Sequence, residues 1–290
     1  MTYQLIIGDR SFSSWSLRGW LMFEKFDIPV KTTVAGLYDG TLAEDLKPFA
    51  PARLVPAVRT PSGDVIGETL AIAETLAEAH PDAGLWPRDA SARIYARWLV
   101  SEMHAGFSAL RNDCPMQLLH QYEGFVAKET VIRDLARLEE LWATAFERRP
   151  TNGPWLFGDY SLADVFYAPV AARIAGYGLS IGQAAQAYVD THLQDGAFRR
   201  WRAMGATKSN DPVPYALDLP NKIWPGPTPL VASATTNQTS ENALCPYSQD
   251  PVTDFMELDG RIFGFCNSFC RDRTVNDPEA WPAFMKIYHS

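Results

Sequence analysis

No apolar run in this sequence is long enough to cross a membrane, and no block of five or six like charges marks a sticky tail. Basic residues are in deficit, 26 Lys and Arg against 34 Asp and Glu, for a formal charge of −8. That balance excludes a binder of nucleic acid that works through phosphate contacts, and polyanions and membrane surfaces are not expected partners. The N-terminus, MTYQLIIGDR, has neither a basic leader nor an apolar run of signal-peptide length, so a cytoplasmic protein is expected. Cysteine is also scarce. Four are present and three of them fall in the last 46 residues, which is not the framework of a small disulfide-stapled secreted domain. In a reducing compartment such a cluster points to metal or to free thiols.

What is present is 290 residues, 47% of them apolar, enough for a sizeable core and for more than one domain. Residues 3–8 read as a strand, WSLRGWLMFEKF as a helix, and PVKTTVAG as a second strand parallel to the first across a helix-length crossover. A short helix around 42–49, two strands in LVPAVRT and DVIGE, and the helix ETLAIAETLAEAH complete βαβαββα over residues 1–80. PDAGLWPRDA reads as an interdomain linker. Residues 88–205 then carry helical periodicity throughout, with Val131, Leu135, Leu138, Trp142 and Ala145 on one face. Ser161-x-x-Asp164 is a capping-box variant at a helix start. Residues 206–243 hold six prolines and little charge and are expected to be an extended linker. Residues 244–290 form a piece too small to stand on an apolar core alone, so it needs a staple or a host surface.

Four serines between positions 11 and 16 sit where the first strand gives way to the first helix. A helix N-terminus offers unpaired amides and a partial positive charge, so a serine there either caps the helix or donates its hydroxyl to an anion such as a thiolate. Leu54-Val55-Pro56-Ala57 sets a proline at a strand entrance. A cis bond there would leave the amide and carbonyl of Val55 open to a peptide-like ligand; otherwise it is an edge-strand proline. Glu68-Thr69 opens the next helix with a carboxylate and a hydroxyl, able to take an α-amino group and an α-carboxylate, or simply to cap.

These three signals, in this order on βαβαββα ahead of an all-helical domain, resemble the cytosolic glutathione transferase family over residues 1–205, and its serine classes in particular. The resemblance implies a thioredoxin-like first domain in which Ser13 or Ser14 activates glutathione. SSWSLR is similar to the zeta-like pattern, which favours Ser13; counting back from Arg18 as in theta-like members favours Ser14. Val55-Pro56 would hold the cis proline and Glu68 and Thr69 would bind the γ-glutamyl end. Leu54 replaces a frequent Lys or Gln, so a polar contact to glutathione is missing or comes from Arg53. Met103, His104, Phe107 and Arg111 either line an apolar pocket for the second substrate or are packing residues. The family implies a homodimer, glutathione as co-substrate and a small electrophile attacked by its thiolate, as in detoxification. The alternatives are a glutathione-dependent cis–trans isomerase similar to maleylacetoacetate isomerase, and a non-enzymatic scaffold that senses metal. With no cysteine at the strand-helix turn, disulfide-exchange chemistry is not expected.

Cys245-x20-Cys266-x3-Cys270 has the spacing of a small metal-binding knuckle, for zinc or another thiophilic ion. DGRIFGFCNSFC resembles the YHS or TRASH type of domain, a small α+β module. Ser248 stands where such modules often have a second cysteine, and serine is a poor ligand for zinc or copper. A fourth donor would be Asp250, Asp272, His289 or water; alternatively the three cysteines are small buried residues. Cys114 reads as a core thiol.

Overall fold

A computed structural model describes residues 2–208 and 213–290; residues 209–212, within the expected linker, and Met1 lie outside the described residues. The chain divides into two compact units, residues 1–193 with 215–225, and residues 194–214 with 226–290.

The first unit begins with β1 (Tyr3–Ile7), α1 (Ser14–Glu24), β2 (Val30–Val34), α2 (Leu42–Asp45), β3 (Ala57–Arg59), β4 (Val65–Ile66) and α3 (Thr69–Ala79). The sheet order is β2-β1-β3-β4; β1 and β2 run parallel, with Leu5 opposite Thr32, and β3 and β4 are antiparallel additions. This is the thioredoxin-like βαβαββα arrangement that the apolar runs predict. Leu5 and Ile7 are fully buried, and α1 covers the sheet with Leu17, Leu21, Met22 and Phe23. Gly19 lets α1 approach closely, since a Cβ there would meet the Pro56 ring at 2.8 Å.

The helical part of this unit comprises α4 (Ala90–Ala105), α5 (Ser108–Asp113), α6 (Glu129–Glu147), α7 (Leu162–Tyr177) and α8 (Gln183–Gln194), with a two-residue strand β5 (Gln121–Tyr122). The apolar stripe Val131, Leu135, Leu138, Trp142 and Ala145 is the buried face of α6. Every residue of α7 is buried, including Pro169 inside it, so it forms the axis of the unit. Its start is fixed by a capping box between Ser161 and Asp164. The Asp164 carboxylate accepts from the amides of Leu156 and Ser161 and from the hydroxyls of Ser161 and Tyr188, at 2.8–3.1 Å. Burial pushes its pKa up to about 6 against the downward pull of those four donors.

The stretch 206–243 contains two short strands. β6 (Asn221–Lys222) pairs with β5 in the first unit, and β7 (Ala232–Thr235) is the first strand of the second unit's sheet. Small residues on an edge strand leave no apolar alternation to read in the sequence.

In the second unit, α9 (Gly196–Gly205) is capped by Asp195, and β7, β8 (Asp254–Leu258) and β9 (Arg261–Phe265) form an antiparallel sheet in that order. Asp259-Gly260 closes the β8-β9 hairpin with both residues at positive φ, the conformation for which Asp-Gly is favoured. α10 (Ser268–Asn276), capped by Asn267, and α11 (Pro282–Tyr288) cover the sheet, with Met256, Phe263, Phe265 and Phe284 in the core. The host surface that so small a piece requires is α9. Arg199 of α9 makes a two-pronged pair with Asp277 at 2.8 and 2.6 Å, Arg200 donates to the Ala280 carbonyl, and Asn276 donates to the Ala203 carbonyl. No helix among the described residues is long and apolar enough to cross a membrane.

Candidate glutathione site and cysteine cluster

The turn between β1 and α1 is organised by Asp9, whose carboxylate accepts the amides of Ser11 and Phe12. Ser13 is the N-cap of α1: its Oγ accepts the Ser16 amide and donates to Ser16 Oγ at 2.8 Å, and Ser16 Oγ also accepts the Gly8 amide. The Ser13 hydroxyl is therefore committed to holding the turn. Ser14, the first helical residue, is half-buried, and its hydroxyl has no hydrogen bond among the described residues. It remains available to a ligand at the amide-rich end of the helix.

Arg53, Val55, Pro56, Glu68 and Thr69 line one cleft of about 450 Å³, together with Trp15 and Leu54. Ser13 and Ser14 are not among its lining residues; Trp15, the next residue along α1, is. The Val55-Pro56 bond is cis, as is Ala50-Pro51. Glu68 has φ +60°, a region costly for a residue with a Cβ, and such strain persists where surrounding structure enforces it. This geometry turns the Glu68 side chain out to solvent at the head of α3. Thr69 is buried, and its Oγ1 has no hydrogen-bond partner. A buried hydroxyl without a partner is destabilising by itself and is relieved by a ligand atom that accepts from it.

Three further side chains adjoin Trp15. His104, near the end of α4, stands edge-on to the indole at 5.2 Å with Nε2 3.7 Å from the Glu68 carboxylate. Burial holds its pKa below the ordinary imidazole value, assisted by Arg18 and Arg111 and opposed by Glu68. The Arg18 and Arg111 guanidinium carbons lie 4.3 and 5.0 Å from the Trp15 ring centre. Arg18 is fully buried and donates to the Phe166 carbonyl; Arg173, also buried, donates to the carbonyls of Cys114 and Pro169. Burial lowers the pKa of both, Arg173 to about 10; repulsion by Arg111 adds to each, and repulsion by Arg173 adds further to Arg18. Among the described residues none of these three arginines is paired with a carboxylate. The charge of the two buried guanidiniums is met by backbone carbonyls rather than by a carboxylate. Of the residues weighed for the second-substrate pocket, Met103 and Phe107 are core, while His104 and Arg111 adjoin the cleft wall. The residue types alone give no reason to place Trp15 or Arg173 here, and Arg18 enters the sequence pattern only as the point from which Ser14 is counted.

In the second unit the Sγ atoms of Cys245, Cys266 and Cys270 lie within 4.8 Å of one another, and Cys266 to Cys270 is 3.9 Å. All are free thiols. Cys245 is fully buried; burial raises its pKa, but the amides of Ser248, Tyr247 and Cys266 outweigh that and bring it down to about 7. Burial raises Cys270 to about 12 despite Arg273. Cys266, at the half-exposed mouth, accepts from Ser248 Oγ and Asn267 Nδ2, each at 3.2 Å. Asp250, Asp272 and His289 do not join the group. Cys114 is a buried thiol of the first unit, raised to about 12 by burial.

Comparison with known proteins places this geometry. The family model for the glutathione S-transferase N-terminal domain matches residues 12–79. A Caenorhabditis elegans protein described as "Probable maleylacetoacetate isomerase" is 34% identical over 166 residues, covering 56% of this chain and 73% of that protein. Maleylacetoacetate isomerase of Rattus norvegicus is 28% identical over 168 residues, 57% of this chain and 74% of that one. Among solved structures, a glutathione transferase homologue from Burkholderia, determined with bound glutathione, superposes with a TM-score of 0.53 at 18% identity, over 72% of this chain and all of that one. With the sheet order, the serine turn and the cis proline preceding β3, these likenesses show that the chain belongs to the glutathione S-transferase family of enzymes.

Proposed function

We propose that the first unit binds glutathione in the cleft of Arg53, Val55, Pro56, Glu68 and Thr69 and presents its sulfur, as thiolate, to Ser14 for attack on a small electrophile. The reading rests on the gathering of those five residues around one opening, with a Thr69 hydroxyl that has no partner among the described residues. Glu68 would take the α-amino group and Thr69 the α-carboxylate. Val55 would offer its amide and carbonyl to the peptide, and Arg53 a charge-assisted bond in place of the one Leu54 cannot make. Ser13 is assigned to the fold of the turn because its hydroxyl is already used there.

A second reading, favoured by the carboxylate-free arginines near Trp15 and by the names of the curated relatives, is cis–trans isomerisation of an unsaturated diacid. The thiolate adds to the conjugated double bond, the resulting single bond rotates, and elimination regenerates glutathione with no net consumption. Conjugation forms a lasting carbon–sulfur bond and consumes it. Free thiol followed during turnover distinguishes them: a fall equal to product formed supports conjugation, and a constant level with loss of the cis-enone supports isomerisation. Activity independent of glutathione on both substrate types would overturn both.

A cytoplasmic homodimer completes the reading. Ile94 and Trp98, one turn apart on α4, are 71% and 54% exposed, and apolar side chains adjacent on a surface mark a contact face. Sedimentation should give a dimer that Ile94→Asp with Trp98→Asp splits to monomer; a wild-type monomer would refute it.

A further inference from the structure

We infer that His104 is a positioning residue for ligand binding: as a neutral imidazole it steadies the Glu68 carboxylate for an α-ammonium group, and as an imidazolium it takes that carboxylate for itself, an inference that rests on Glu68 receiving the amino end of glutathione. Glu68 needs such support. Its backbone is fixed at φ +60°, but its side chain is 71% exposed and makes no capping bond to the helix it heads. Among the described residues His104 is the group that approaches its carboxylate, with Nε2 3.7 Å away. A long exposed side chain gives up rotamer freedom when it binds, and a neighbour that restricts it beforehand lowers that cost.

The imidazole is itself held in place. It stands edge-on to the Trp15 indole with the Phe166 ring centre 6.4 Å away, and the Arg111 guanidinium donates to the His104 carbonyl. His104 Nδ1 is buried and has no partner among the described residues. An N–H enclosed without an acceptor is costly, so the ring proton of the neutral form belongs on Nε2, facing Glu68. At 3.7 Å that N–H is beyond hydrogen-bond length and within Coulomb reach, and a turn of the exposed Glu68 side chain closes the gap. A neutral donor orients the carboxylate and leaves its charge for a ligand. A second proton would have to go on Nδ1, the enclosed nitrogen, and would make a cation that competes with an ammonium group for the same carboxylate. The charged groups facing the ring are Glu68 at the head of α3, Arg18 of α1 and Arg111 of α5. Burial and the two arginines oppose that proton, Glu68 favours it, and the balance holds the imidazole below its ordinary pKa. It is therefore neutral at neutral pH and charges only in acid.

Calorimetric titration of the full-length chain with glutathione, and with the analogue that lacks its α-amino group, tests this. His104→Leu should weaken glutathione about fivefold at neutral pH, the order of one net hydrogen bond, and leave the analogue unaffected. His104→Gln keeps a donor near the Nε2 position and cannot take a proton, so it should bind glutathione within about twofold of wild type. From about pH 7 to about pH 5 the wild type should lose at least about threefold more affinity for glutathione than His104→Gln, because only the wild type charges. The analogue should show no such loss. A histidine that only supported the fold would weaken both ligands alike and give no difference in acid. No binding of glutathione by the wild type, or undiminished binding by Glu68→Gln, would overturn the reading of the cleft and the inference with it. Binding that requires Glu68 but is unchanged in His104→Leu, falls equally for both ligands, or keeps its acid loss in His104→Gln would overturn the inference alone, since the cleft would still hold the tripeptide.

Discussion

Replacing Ser14 by alanine is expected to raise the pKa of the bound glutathione thiol by about 2 units and to lower turnover about 100-fold at neutral pH. A free thiol titrates near ~8.5, so without help most of it is protonated. Each unit of depression requires about 1.4 kcal/mol of preferential stabilisation of the thiolate, and one well-placed donor aimed at a developing anion is commonly worth about 3 kcal/mol. Ser14 carries a hydroxyl at the first position of α1 with no partner among the described residues. Ser13→Ala should behave differently. It removes a cap that accepts the Ser16 amide and donates to Ser16 Oγ, costing about 1 kcal/mol of stability with little change in the thiol titration. Thiolate absorbance against pH, for wild type and both variants saturated with glutathione, checks this. Loss confined to Ser13→Ala would reverse the assignment, and two unaltered titrations would refute activation by serine.

The second large effect is on stability. Asp277→Ala is expected to destabilise the second unit by about 3 kcal/mol, because removing one member of a buried pair strands the other. The Asp277 side chain is 6% exposed and that of Arg199 17%, and the carboxylate also accepts the Ala280 amide. Glu279, 3.6 Å from Arg199, compensates only in part. For a unit of this size the loss corresponds to a fall of roughly 15 °C in its melting temperature. Calorimetry should show it in one transition, since two compact units need not unfold together. Arg199→Met combined with Asp277→Leu should recover much of it, as apolar replacement of a buried pair often does. An unshifted transition in Asp277→Ala would mean that α9 is not the surface on which the cysteine-bearing piece depends.

The elements of the first unit were legible because their signals are local. An apolar run marks β1, the Val131-to-Ala145 stripe marks α6, and Ser161 with Asp164 marks the start of α7. The cleft residues could be named together because helix starts and a proline at a strand entrance reveal themselves by residue type. The buried arginines could not. Arg18 and Arg173 are separated by 155 positions, and nothing in either neighbourhood says that a guanidinium is to be enclosed without a carboxylate. Nor does any periodicity place α9 with the cysteine-bearing piece, since that association is made by side chains such as Arg199 and Asp277, 78 residues apart. Which of the two adjacent hydroxyls, Ser13 or Ser14, reaches Ser16 is likewise something residue types do not encode.

The path of the chain between its two units has a consequence for how such a protein can be cut or recombined. It passes from the first to the second at residue 194, returns for residues 215–225, and leaves again at 226. No single scission yields two whole bodies: a break after 193 takes residues 215–225 from the larger unit, and a break after 225 takes α9 from the smaller. Exchanging the cysteine-bearing piece for another would therefore require three junctions, at 193/194, 214/215 and 225/226, to be rejoined at once.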